Sequence, residues 1–210
     1  MSDNYWNTYY ADAADRAAPR VPSQFAAFLA TELGASDPLI VDVGCGNGRD
    51  SHFFANCGFR VIGVDGSESA IADCKSHIGN KENIDFICAD LADEHLSATI
   101  NEAAGGRLVV LYARFFLHAI TEEQEARFFD LANAICGASG AIAVEFRTNR
   151  DQDLSKVTAT HFRRFVEPLG FLRRANLAGY TAEYHAEGFG YAKFRDDDAH
   201  VARFVLSPIS

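Results

Sequence analysis

The sequence predicts an α/β fold, a doubly wound and mostly parallel sheet with a late antiparallel strand. Three observations carry this. Short apolar, β-branched runs recur at 39–43, 60–65, 83–88, 108–113 and 141–146. Segments of helical periodicity fall between several of them, and that alternation calls for a parallel sheet covered on both faces. The first run also ends in a glycine cluster, Gly44, Gly46 and Gly48, where a strand must turn tightly into a helix.

Each element has its own signal. Residues 1–20 open with Tyr5, Trp6, Tyr9 and Tyr10, then alanines, and read as an amphipathic arm ending near Pro19. Ser23 suits a helix cap, with Phe25, Phe28, Leu29 and Leu33 at helical spacing and Gly34 as the stop. Helices follow at 50–57 and 67–77. Another spans 121–136, where Thr121 and Gln124 make a capping box. Beyond Arg150 the pattern loosens. There the expectation is a helix over 161–169 and closing strands near 171–181 and 201–206. No repeat or linker divides the chain, so a single domain over 1–210 is expected.

Composition narrows the function. The chain has 210 residues, 48% apolar and 23% charged, which fits an ordered globular protein. Seventeen phenylalanines imply an aromatic interior or pocket. A net charge of −10 opposes binding to nucleic acid backbones. The five cysteines are odd in number and form no C-x-x-C pair, so reduced thiols in the cytoplasm are expected rather than disulfides or zinc. No apolar run reaches the roughly 18 residues of a membrane span. No metal site is expected, since His and Cys occur without ligand spacing.

The segment Val41-Asp42-Val43-Gly44-Cys45-Gly46-Asn47-Gly48 joins the first strand to its helix, and Asp65 ends the second strand about 20 residues on. A carboxylate there can accept both hydroxyls of a ribose. The glycine spacing is not that of pyrophosphate binders, so the ligand need not carry phosphate. With these residues the stretch DVGCGNGRDSHFFANCGFRVIGVDGSESAI resembles the first motif and acidic loop of class I S-adenosylmethionine-dependent methyltransferases, which have a Rossmann-like sheet. The resemblance runs from about Leu39 to Arg147. It implies S-adenosyl-L-methionine as cofactor, with Asp42, Gly44, Cys45 and Gly46 facing its methionine half. Asp65, Gly66 and Ser67 would take the ribose, Asp90 and Leu91 the adenine, and Ala113 and Arg114 the reactive end.

The chemistry is expected past the carboxyl ends of the strands. His118 is a candidate general base beside Arg114, with a packed imidazole as the alternative. Glu145 and Arg147 alternate on one strand, where they either touch substrate or pair with each other. His161, Arg163 and Tyr184 are further substrate candidates. Tyr5, Trp6 and Tyr10 suit a lid with aromatic faces for a sulfonium; packing on the domain's flank or at a homodimer contact is the alternative. Within the superfamily, the run ARFFLHAI looks closest to bacterial enzymes of natural-product and surface-glycan pathways. The reading is therefore methyl transfer to oxygen or nitrogen of a small polar, anionic acceptor. Attack on the aminocarboxypropyl chain, with release of methylthioadenosine, and a noncatalytic cofactor-binding subunit remain as rivals.

Overall fold

The computed structural model describes residues 3–12, 21–153, 162–194 and 196–209, with side chains in the first helix from Trp6 to Tyr10. The strands make a mixed, mostly parallel sheet arrangement with an antiparallel strand late in the chain. Two compact units divide the chain, Met1–Val109 and Val110–Ser210.

The first unit holds α1 (Asp3–Asp12), α2 (Gln24–Leu33), β1 (Leu39–Val43), α3 (Arg49–Asn56), β2 (Arg60–Asp65), α4 (Glu68–Ser76), β3 (Ile84–Cys88) and α5 (Leu96–Ala104). Strands β1, β2 and β3 pair in parallel, with Val43 opposite Val64 and Asp65 opposite Cys88. β1 is buried at all five positions, as a parallel strand covered on both faces must be. Ser23 caps α2 by accepting from the Ala26 N–H at 3.0 Å. Its own N–H and hydroxyl donate to Asp50 at 2.7 and 2.8 Å, which ties the start of α2 to α3. Helix α5 had not been expected from sequence; it buries Leu96, Ile100 and Ala104 at four-residue steps.

The second unit begins within β4 (Val109–Arg114) and continues through a 3₁₀ turn at Leu117–Ala119, α6 (Glu122–Ile135) and β5 (Ala141–Arg147). Then come α7 (Pro168–Leu177), β6 (Tyr180–Gly188) and β7 (Val201–Pro208). The capping box of α6 is present in both directions, Thr121 to Gln124 and back. β7 runs antiparallel to both β5 and β6, the late reversal that the sequence implied. The phenylalanines are largely core: Phe146, Phe171 and Phe204 are fully buried, with ring centroids 5.0 and 5.3 Å apart.

Two expectations past Arg150 need correction. Residues 162–167 are not helical; Val166 makes an isolated bridge with Thr148. The helix starts at Pro168 because proline disfavours helical geometry in the residue before it and suits the first helical position. Glu167 caps it, accepting from Leu169 and Gly170 N–H. The expected strand at 171–181 is mostly that same helix, with Phe171 and Ala175 buried one turn apart; the strand begins only at Tyr180. Residues 154–161, His161 among them, lie outside the described residues. Among the described residues, no helix is long and apolar enough to cross a membrane, and no group of three His, Cys, Asp or Glu could hold a metal ion.

Candidate functional site

In the first unit the glycine turn folds onto the end of β2. The N–H groups of Gly44 and Cys45 both donate to Val64 O, at 2.8 and 3.1 Å. Gly46 has φ +56°, a left-handed conformation that favours glycine. A Cβ at Gly46 would stand 2.3 Å from the Tyr10 hydroxyl, so the turn accepts α1 only because that side chain is missing. Gly48 is also left-handed, at φ +68°, and a Cβ there would meet Cys74 Sγ at 2.8 Å.

Asp65 closes the turn. Oδ2 accepts from Gly46 N–H and Oδ1 from Ser67 N–H, both at 2.9 Å. Burial raises its pKa in spite of these two bonds, which favour the charged form. Each oxygen keeps lone-pair capacity for a further donor. Ser67 caps α4 through Ala70 N–H and gives its hydroxyl to Asn7 Oδ1 at 2.9 Å. Asn7 and Tyr10 thus fasten α1 across the cradle, and Trp6, Tyr9 and Tyr10 pack ring against ring. The Tyr10 phenol is raised well above its usual value by burial and by Asp65.

Asp42 lies beneath the turn. It is buried, accepts the Ser51 hydroxyl at 2.5 Å, and its pKa is pushed up to about 7 by burial and then by Asp50. Cys45 is buried beside it, and burial raises its thiol well above the usual range. Gly66 is exposed. Asp90 is exposed too, accepting Ala92 N–H at 2.6 Å, with Leu91 half-buried next to it. The side chain of Tyr5 lies outside the described ones.

In the second unit Ala113 is buried and Arg114 follows at the end of β4. Phe115 has φ +57°, an unusual value for an aromatic residue and a mark of stored strain. Its N–H donates to Glu145 O at 2.8 Å, and its ring lies 4.1 Å from the Arg114 guanidinium and 5.4 Å from that of Arg147. Glu145 and Arg147 do not pair with each other. Glu145, fully buried, accepts from Arg114 Nε at 2.7 Å and Arg203 Nε at 2.5 Å. Arg147 donates to Asp151 at 2.7 Å and to Asp197 at 2.5 Å. Burial alone would lower its pKa, but the bonds to Asp197 and Asp151 outweigh that and raise it. Both side chains are thus buried and held by partners within the second unit.

His118 is buried, and Nδ1 accepts from Arg147 N–H at 3.3 Å. A neutral ring so held carries its proton on Nε2, which is then a donor. Arg163 and Tyr184 are half-buried. Next to Arg163, Arg164 turns to buried Glu125, which also accepts from Arg174. The sequence reading missed Asn7, Ser51, Glu125, Asp151, Asp197 and Arg203. Nothing in their local sequence marks them, because each acts through a partner set by the fold.

An α/β sheet with a glycine turn and a strand-end carboxylate defines a class, the binders of adenosine-type ligands at strand carboxyl ends. Residues 40–140 match the family model of the methyltransferase domain. That match and the similar folds support the class I S-adenosylmethionine-dependent methyltransferase superfamily, with S-adenosyl-L-methionine as the methyl donor. No curated protein matches it in sequence. Among solved structures, a SAM-dependent methyltransferase from Anabaena variabilis superposes with TM-score 0.73 at 20% identity, covering 99% of this chain and 95% of that one. The 1,6-didemethyltoxoflavin-N1-methyltransferase of Burkholderia thailandensis gives 0.72 at 17%, covering 99% and 87%. The CcbJ methyltransferase of Streptomyces caelestis gives 0.71 at 17%, covering 95% and 96%.

Proposed function

We propose that this enzyme transfers the methyl group of S-adenosyl-L-methionine to an oxygen or nitrogen of a small polar, anionic molecule in a bacterial natural-product or surface-glycan pathway. It acts in the cytoplasm as one domain, without nucleic acid or membrane. The observation that carries the cofactor assignment is Asp65, fixed by Gly46 and Ser67 N–H at the mouth of a turn that a Cβ would fill. Small acceptors are favoured by the toxoflavin-type N1-methyltransferase among the similar folds.

Bound cofactor supplies an electrophilic methyl on a sulfonium; the rest is the work of the chain. Asp65 accepts the ribose hydroxyls, with Gly66 and Ser67 beside it. Asp90 and Leu91 meet the adenine edge. Gly44, Cys45 and Gly46 present backbone to the methionine half over the Asp42 carboxylate, while Ala113 and Arg114 flank the reactive end. Trp6 and Tyr10 on α1 cover the cradle and exclude water, with aromatic faces suited to a sulfonium. His118, just past β4, is the general base for a hydroxyl acceptor. The substitution is in-line, so holding the nucleophile about 3–3.5 Å from the methyl carbon is the main catalytic requirement.

The test is incubation with S-adenosylmethionine alone and then with a pooled set of small acids and amines, the nucleosides being separated by mass. S-adenosylhomocysteine formed only with the pool is the expected result. Methylthioadenosine above background with no acceptor present would overturn the reading in favour of attack on the aminocarboxypropyl chain.

A further inference from the structure

Two thiols lie under the glycine turn of the first unit, and methyl transfer uses neither. Cys45 belongs to the turn itself, and Cys74 to the buried face of α4. Their thiols share a hydrogen bond. Cys74 Sγ also donates to Gly46 O at 3.2 Å. Glycines make the room for both sulfurs. A Cβ at Gly48 would stand 2.8 Å from Cys74 Sγ, and one at Gly63, on β2, would stand 3.1 Å from Cys45 Sγ. Cys45 is 8% exposed and Cys74 not at all, so a reagent from solvent meets Cys45 first.

The surroundings decide what such a pair can hold. Burial first, then the Cys74 bond and the charges of Asp42 and Asp65, push the Cys45 thiol well above its usual range. A metal ion would need both sulfurs as thiolates, against those two carboxylates. Among the described residues no group of three His, Cys, Asp or Glu could hold one. A disulfide carries no charge and meets neither objection. We propose that Cys45 and Cys74 are a redox-active pair that closes into a disulfide by exchange with a small-molecule disulfide. Cys45 attacks one sulfur of the reagent, whose S–S bond breaks and releases one thiol. Cys74 then attacks Cys45 Sγ, forming the Cys45–Cys74 bond and releasing the second thiol. The two protons of the pair end on the two released thiols, so the pair loses two electrons and the reagent gains them. The attacking species is the thiolate, so the raised Cys45 thiol makes the first step slow while the turn stays covered.

Closure has a mechanical result. It removes the hydrogen that Cys74 gives to Gly46 O, and it sets the two sulfurs about 2.05 Å apart, drawing Cys45 toward α4. Gly46 N–H is one of the two donors that fix Asp65, so oxidation loosens the cradle at its carboxylate. The loss of cofactor rests on the methyltransferase reading; the disulfide itself does not.

The experiment treats the folded full chain with oxidised glutathione, blocks remaining thiols with an alkylating agent, and maps tryptic peptides by mass. Trypsin cleaves after Arg49 and Arg60, so Cys45, Cys57 and Cys74 fall on separate peptides. The expected product is residues 21–49 crosslinked to residues 61–75, released by dithiothreitol. Cys74→Ser should stop at the first step, with glutathione held on Cys45. By calorimetry the crosslinked chain should bind S-adenosylhomocysteine about tenfold more weakly than the reduced chain. A thermal melt establishes that Cys74→Ser folds, and the wild-type peptide map stands without it. Glutathione taken up at exposed Cys57 and Cys88 while Cys45 and Cys74 stay free thiols overturns the proposal. A crosslinked chain that binds S-adenosylhomocysteine as tightly as the reduced one overturns the control of the cradle. A crosslink in a chain that ignores S-adenosylhomocysteine even when reduced would support the pair and sink the cofactor reading instead.

Discussion

The two units build polar sites by opposite means. In the first, most contacts that shape the cradle, apart from those of α1, lie within about 20 residues: Gly46 to Asp65, Asp65 to Ser67, Asp42 to Ser51. In the second, Glu145 reaches 31 residues back to Arg114 and 58 forward to Arg203, and Arg147 reaches 50 to Asp197. A site made of successive strand–helix turns leaves a motif in the sequence, whereas one made of strand register leaves isolated charges. The contrast predicts that damage in the first unit strikes binding, and damage in the second strikes the fold.

The largest expected effect tests the second half of that contrast. Glu145→Ala removes the buried carboxylate that Arg114 and Arg203 share and should cost about 3–5 kcal/mol, read by urea denaturation. A loss below about 1 kcal/mol would mean that these charges are solvated and the units are alike. Asp65→Ala is the counterpart. It should weaken S-adenosylhomocysteine binding by about 100-fold in calorimetry, while the melting temperature moves by only a few degrees; a collapse of the fold would erase the distinction.

Asp42 sharpens the comparison, because there the cradle strains the fold. Burial, and then Asp50, push its carboxyl up to about 7 from the ordinary 3.8. The unfolded chain loses this proton first, so stability falls by up to about 1.4 kcal/mol per pH unit between about pH 4 and 7, and levels off above. Asp42→Asn removes this slope. The variant should therefore gain melting temperature over wild type as pH rises from about 5 to 8, while binding cofactor more weakly at every pH. Parallel melting curves for the two proteins would refute the assignment. The smallest effect is expected at Thr121→Ala, which deletes half of the capping box and should cost about 1 kcal/mol in the same denaturation assay.

This division also sets what was legible in advance. The parallel strands, the glycine turn and Asp65 were readable because periodicity and spacing are local. The start of α7 was misread: the apolar residues from Phe162 onward suggest a helix, and the decisive restraint is the single Pro168. Glu145 and Arg147 stand out in the sequence as charges alternating on one strand, but their partners are not identifiable there. Arg203 and Asp197 become neighbours only once β7 lies between β5 and β6. The strain at Phe115 was equally hidden, since nothing in the run Arg-Phe-Phe-Leu-His states which phenylalanine turns left-handed.

The place of β7 has a consequence for biosynthesis. Ribosomes deliver the chain from its amino end, so the glycine turn and Asp65 emerge more than a hundred residues before Arg203. Until then Glu145 has only one of its two cationic partners, and the slot beside β5 that β7 will fill stays open. β7 is thus the strand that brings a second cationic partner to a fully buried carboxylate. A nascent chain stalled before it would carry a finished cofactor cradle alongside an unpaired sheet edge, the form most exposed to aggregation and to chaperones.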